Sequence, residues 1–203
     1  MWDARLYLVA PARLQAGRLA DMVDELAAGG VDVIQLREKE LEPKQVLEAG
    51  APIAEACRRA GIPFVINDRP DIALALRADG LHLGQDDIPP EIARAIVPGI
   101  VLGGSTHSPE QVDQAAREDW DYFAVGPVFE TPTKPGRPGT GLELIRHAAG
   151  TATSSVWFAI GGIDASNLAD VMEAGARRVV VVRAITEAPD PPKAAAELKQ
   201  RLR

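Results

Sequence analysis

Cysteine is nearly absent from this chain. Cys57 stands alone among 203 residues, so no internal disulfide is available, and the usage fits a reducing compartment such as the cytoplasm. No apolar run approaches the ~20 residues that a membrane-spanning helix needs. The first residues, MWDARLYLVAPARL, lack a basic region followed by a long apolar one, so no signal peptide is expected. An excess of positive charge is missing too. The 22 basic and 29 acidic residues leave a net charge of −7, which argues against the basic surface of a nucleic-acid scaffold. A small anionic ligand stays open, because a few local cations suffice. There is no His–Cys cluster with zinc spacing, no GxGxxG after the first apolar run, no low-complexity tail and no domain boundary. Residues 1–203 therefore read as one domain.

What is present is an alternation of short β-branched runs with longer amphipathic ones. Eight runs read as strands: 5–10, 31–37, 63–68, 80–84, 100–105, 122–126, 156–162 and 178–183. Helical patterns lie between them. GRLADMVDELAAGG carries Leu19, Met22, Val23 and Leu26 on one stripe and ends at paired glycines. Ser108 and Asp164 read as helix caps, the first followed by Pro109 as the opening helical residue. Strands separated by helices pair in parallel, because a parallel neighbour needs a long crossover. Eight such units predict an α/β fold, a single (β/α)8 TIM barrel with parallel strands. An open doubly wound sheet is the rival, and the missing glycine fingerprint counts against it.

A barrel concentrates chemistry at the C-terminal ends of its strands. The second strand runs into IQLREKE, where Gln35, Arg37 and Lys39 alternate with apolar Ile34 and Leu36. The polar trio should then share the face toward the barrel mouth. The third strand ends at Asn67–Asp68–Arg69 and the fourth runs into HLGQDD, so Asp68 and Asp87 lie at neighbouring rims. They could share a magnesium ion, which accepts one or two carboxylates, or serve as a cap and a turn residue. GGSTHS offers Ser105 and two glycines that would let backbone approach a ligand. His107 and His82 read as structural, and His147 as surface. Gly161 and Gly162 follow the seventh strand, where barrels often hold phosphate. ETPTKPGRPGTG, residues 130–141, places Thr131, Thr133 and Lys134 over the mouth and reads as a lid.

The motifs QLREK, NDR, HLGQDD, GGSTH, GPVFETPTKPG, AIGGI and VVVRAI occur in order along nearly the whole chain. Together they resemble the thiamine phosphate synthase family. That resemblance implies a transferase of thiamine biosynthesis on a (β/α)8 barrel. Its members join a pyrimidine methyl diphosphate to a thiazole phosphate or its carboxylate, releasing pyrophosphate, with magnesium as cofactor. It further implies that Gln35, Leu36, Arg37, Glu38, Lys39 and Asn67 contact the pyrimidine diphosphate. Asp68 and Asp87 would hold magnesium, and Ser105 and Lys134 would meet the phosphates. Thr131, Pro132, Thr133, Gly162, Val182 and Arg183 would surround the thiazole phosphate. Arg37, Lys39, Lys134 and Ser105 are then the candidate catalytic groups. Arg183 departs from the serine common at its position. Partners would be the two small phosphorylated substrates, with no nucleic acid and no membrane; a homo-oligomer is left open. Three rivals remain: a tautomerase-like branch using His107, a regulator that binds without turnover, and another phosphate-binding barrel.

Overall fold

The computed structural model describes residues 3–131, 139–152 and 154–202. Its frame is a closed barrel. The strands are β1 (Leu6–Ala10), β4 (Val33–Leu36), β5 (Phe64–Asn67), β6 (Gly80–Leu83), β7 (Val101–Thr106), β8 (Tyr122–Val125), β9 (Trp157–Ile160) and β10 (Val179–Val181). Each pairs in parallel with its sequence neighbour in that series, and β10 returns to β1. Closure leaves no exposed edge among these strands. The predicted strands are all present, shortened by a residue or more at most of their ends. A two-stranded ribbon, β2 (Arg13–Leu14) with β3 (Gly17–Arg18), was not expected from the sequence. Its strands are too short to carry an alternation.

Helices α1 (Leu19–Ala28), α2 (Pro43–Ala60), α3 (Pro70–Leu76), α4 (Pro90–Ile96), α5 (Pro109–Ala115), α6 (Gly141–Thr151) and α7 (Leu168–Glu173) each connect one barrel strand to the next. The four-residue α8 (Arg183–Thr186) and then α9 (Pro191–Arg201) follow β10. Proline opens α2, α3, α4, α5 and α9, where its missing N–H costs nothing and its fixed φ suits the first turn. Ser108 caps α5 as expected, accepting from the Gln111 amide at 3.3 Å. Asp164 does not cap α7. The helix starts at Leu168, and Asp164 instead accepts from the Ser166 amide and hydroxyl in the preceding turn.

The alternation along each strand divides the core in two. Leu6, Leu8, Ile34, Leu36, Phe64 and Ile66 point outward and pack under the helices. Tyr7, Val9, Val33, Val65, Tyr122, Phe158 and Val180 fill the barrel interior. Tyr122 and Trp120 take the space that the paired glycines of β7 leave. A Cβ on Gly103 would stand 2.1 Å from the Tyr122 ring, and one on Gly104 3.0 Å from Trp120. Within the fold these glycines make room for the two aromatic rings.

Candidate active site

Every site residue within the described set lies at the end where the strands finish or in the loops beyond. Parity carries this outcome for β4. Gln35 points into the barrel and is buried, next to Asn67 at the end of β5, whose side-chain oxygen lies 3.4 Å from the Gln35 amide nitrogen. Leu36 points the other way, into the layer beneath the helices. Past β4 the alternation ends. Arg37 is half-buried, and Lys39 crosses to the rim of β5 and forms an ion pair with Asp68. Glu38 turns back to accept from the Ala12 amide at 2.6 Å, which ties the loop after β1 to the loop after β4. This use of Glu38 was not visible in the sequence.

Asp68 and Asp87 meet. Asp87 also accepts from the Gly84 amide at 2.6 Å, closing the turn after β6. Asp68 has a left-handed backbone, φ 63°. Burial works against ionising Asp68, but Lys39, the hydrogen bond with Asp87 and, more weakly, Arg37 hold its carboxyl below the usual range. Asp87 goes the other way: burial pushes it up, the Gly84 amide opposes, and the neighbouring Asp68 adds to the rise. Two carboxylates in contact share either a proton or a cation. Among the described residues no group of three or more His, Cys, Asp or Glu side chains gathers at one point. A pair nevertheless suits magnesium, which keeps several waters and takes its remaining ligands from phosphate.

The other side of the mouth is a cavity of about 280 Å³. Ser105, His107, Thr131, Gly162, Val182 and Arg183 are among its lining residues. Gly161 has φ 108°, and a Cβ there would lie 2.4 Å from Pro127. The chain can pass this point only as glycine. Arg183 is among the lining residues, and its guanidinium lies 3.9 Å from Glu187, which lines the cavity too. Ser105 is buried and joined to His82. Gln85, which the sequence reading did not single out, donates to the Ser105 carbonyl at 2.5 Å. His107 uses Nδ1 on the Gly126 carbonyl. His147 is half-buried at the surface, linking α6 to Asp113 of α5 at 2.7 Å.

Pro132, Thr133 and Lys134 of the expected lid, with residues 135–138, lie outside the described residues. The bases of that segment are held together. Thr140 donates through its amide to the Pro127 carbonyl at 2.7 Å, and Gly141 to that of Val128 at 2.9 Å. Cys57 is buried in α2 away from the mouth, and burial, with smaller effects from Asp79 and Asp24, pushes its thiol up to about 12. That leaves it inert as a nucleophile. No helix among the described residues is long and apolar enough to cross a membrane.

Comparison with known proteins adds an independent observation. The family model described as thiamine monophosphate synthase matches residues 6–185. A thiamine-phosphate synthase of Acidothermus cellulolyticus is 57% identical over 98% of this chain and 95% of its own length. One from Thermus thermophilus is 53% identical over 98% and 97%. The solved structure of a thiamine phosphate pyrophosphorylase from Pyrococcus furiosus superposes with a TM-score of 0.87 at 32% identity, covering 98% of this chain and 95% of that one.

Proposed function

The chain belongs to the thiamine monophosphate synthase family and is an enzyme of the transferase class, and from that premise we propose how its mouth works. The substrates are a pyrimidine methyl diphosphate and a thiazole phosphate, and the products are thiamine phosphate and pyrophosphate. The observation that carries this reading is the contact between Asp68 and Asp87 beside Lys39, opposite a glycine-walled cavity that holds Arg183. One side has the charges to take a diphosphate with a cation, and the other has room and a guanidinium for a second anion.

Asp68 and Asp87 would hold magnesium, which when bound supplies positive charge to the diphosphate oxygens. Arg37 and Lys39 bind the same diphosphate. Lys39 must exchange Asp68 for substrate, a small cost for an ion pair whose lysine is 52% exposed. Gln35 and Asn67 orient the pyrimidine ring. Gly162, Val182, Arg183 and Thr131 seat the thiazole phosphate. The carbon under attack is benzylic to an electron-rich aminopyrimidine, so pyrophosphate departs ahead of bond formation and the thiazole nitrogen then attacks. That nitrogen has no proton to lose, so no strong general base is needed, and the inert Cys57 fits a path without a protein nucleophile. Preorganised donors on the leaving group carry the catalysis.

The test is an omission assay. Purified protein, both phosphorylated precursors and magnesium are combined, and pyrophosphate and thiamine phosphate are followed as each component is left out. Equal amounts of the two products, formed only in the complete mixture, are expected. Pyrophosphate release that ignores the thiazole partner, or no release at all, rejects the reading.

A further inference from the structure

A chain of buried hydroxyls crosses the barrel interior and ends at the mouth. Tyr7 of β1 meets Tyr122 of β8 through their hydroxyls at 2.9 Å. The Tyr122 hydroxyl lies 3.2 Å from Nδ1 of His82, on β6. His82 Nε2 lies 2.9 Å from Oγ of Ser105, on β7. Tyr7 and Tyr122 are each 1% exposed, so bulk water does not complete their hydrogen bonds; His82 at 9% and Ser105 at 6% lead out to the mouth cavity that Ser105 lines. Gly103 makes the path possible, since any side chain there would displace the Tyr122 ring.

We infer that this relay has one polarity, fixed at Tyr7, and that it makes Ser105 a hydrogen-bond donor to the anionic substrate with His82 as its positioning residue. Among the described residues Tyr122 is the one partner of the Tyr7 hydroxyl. A phenol proton without an acceptor in a dry interior is costly, whereas a spare lone pair is tolerated more readily. Tyr7 therefore donates to Tyr122. Tyr122 must then send its own proton to His82 Nδ1, which has to be a bare lone pair. The neutral imidazole consequently carries its proton on Nε2 and donates to Ser105 Oγ. Ser105 is left with its own O–H for the mouth. The opposite order would orphan the Tyr7 proton and offer an anion only lone pairs. Burial, ahead of all other causes, holds both phenols above their ordinary range, so both keep the protons this order requires. The inference rests on the proposed function only for the identity of the anion, a diphosphate.

Two measurements test it. Long-range proton–nitrogen NMR of the intact protein at a pH where His82 is neutral reads the tautomer directly, with the signal assigned by its loss in His82→Gln. Protonated Nε2 and bare Nδ1 are expected; a dominant Nδ1–H form, or an even mixture, overturns the inference. The second is a double-mutant cycle on turnover. Tyr122→Phe should lower kcat by roughly 3–10-fold, the worth of one neutral hydrogen bond, and leave the KM for thiazole phosphate unchanged. On a Ser105→Ala background the same substitution should change nothing further. Additive losses overturn the relay. Wild-type protein that forms no pyrophosphate with both substrates would defeat the proposed function instead, and the NMR result would still decide the polarity.

Discussion

Exchanging Asp87 for asparagine separates the two demands on the carboxylate pair. Asparagine keeps the shape, and its side-chain oxygen can still accept from the Gly84 amide, a 2.6 Å hydrogen bond in the native turn. Only the charge is lost. Asp87 is pushed up by burial and by Asp68, so its ionised form costs stability in the metal-free protein at neutral pH. Neutralising it should stabilise. Much of the group faces solvent, so the gain is screened to about 0.5–1 kcal/mol, or roughly 1–4 °C in Tm for a domain of this size. Magnesium should reverse the ranking. Wild-type protein at a magnesium concentration ~100 times its Kd gains about 2.7 kcal/mol, near 5–10 °C. Asp87→Asn should lose most of that response, and about 10²–10³ in turnover. Melting curves in chelator and across a magnesium series measure both arms. An Asp87→Asn protein that melts below wild type in chelator, or gains as much from magnesium, refutes the reasoning.

Three other outcomes follow from the same geometry. Gly103→Ala should cost about 1–3 kcal/mol by forcing a methyl group against Tyr122, and thermal melting should show it while Gly99→Ala, whose Cβ meets nothing within 4 Å, shows only its backbone strain. Cys57 should resist iodoacetamide in the native protein at pH 8 and react once denaturant opens α2, because its thiol is pushed up to about 12; rapid native labelling would contradict its burial. Asp113 is held below the ordinary carboxylate range by its hydrogen bond to His147. Its contribution is therefore complete above the unfolded aspartate pKa of ~3.9 and fades as pH falls through the lower folded value. A His147→Gln protein should show a shallower loss of stability on acidification between those limits, and an identical acid limb would count against the link.

Much of this site is legible in the sequence because parallel strands impose simple rules. Period-two alternation in IQLREKE sends Gln35 inward and Leu36 outward, and the rule fails once the strand ends, at Arg37. Neighbouring strands finish side by side, which sets Asp68 beside the end of β6, and the turn that Asp87 closes on Gly84 brings the second carboxylate to it. The hidden part depends on closure. Tyr7, Tyr122 and His82 come from β1, β8 and β6, and nothing local in any of those strands signals that they meet across the interior. The same holds for Glu38 reaching Ala12, a long-range side-chain contact with no motif. GGSTH was readable as glycine-rich, but which neighbour needs the space is a property of the packed barrel. At Asp164 a cap residue and a turn residue have the same chemistry, and only the start of α7 at Leu168 separates them.

The claim on which the account depends is that one cation, bound by both Asp68 and Asp87, meets the diphosphate at the strand ends. Anomalous diffraction from crystals soaked with manganese and pyrophosphate tests it most directly. The account predicts a single peak within bonding distance of both carboxylates and of a pyrophosphate oxygen that Lys39 also contacts. A metal held elsewhere, or one that leaves Asp68 paired with Lys39 and touches neither aspartate, would contradict it.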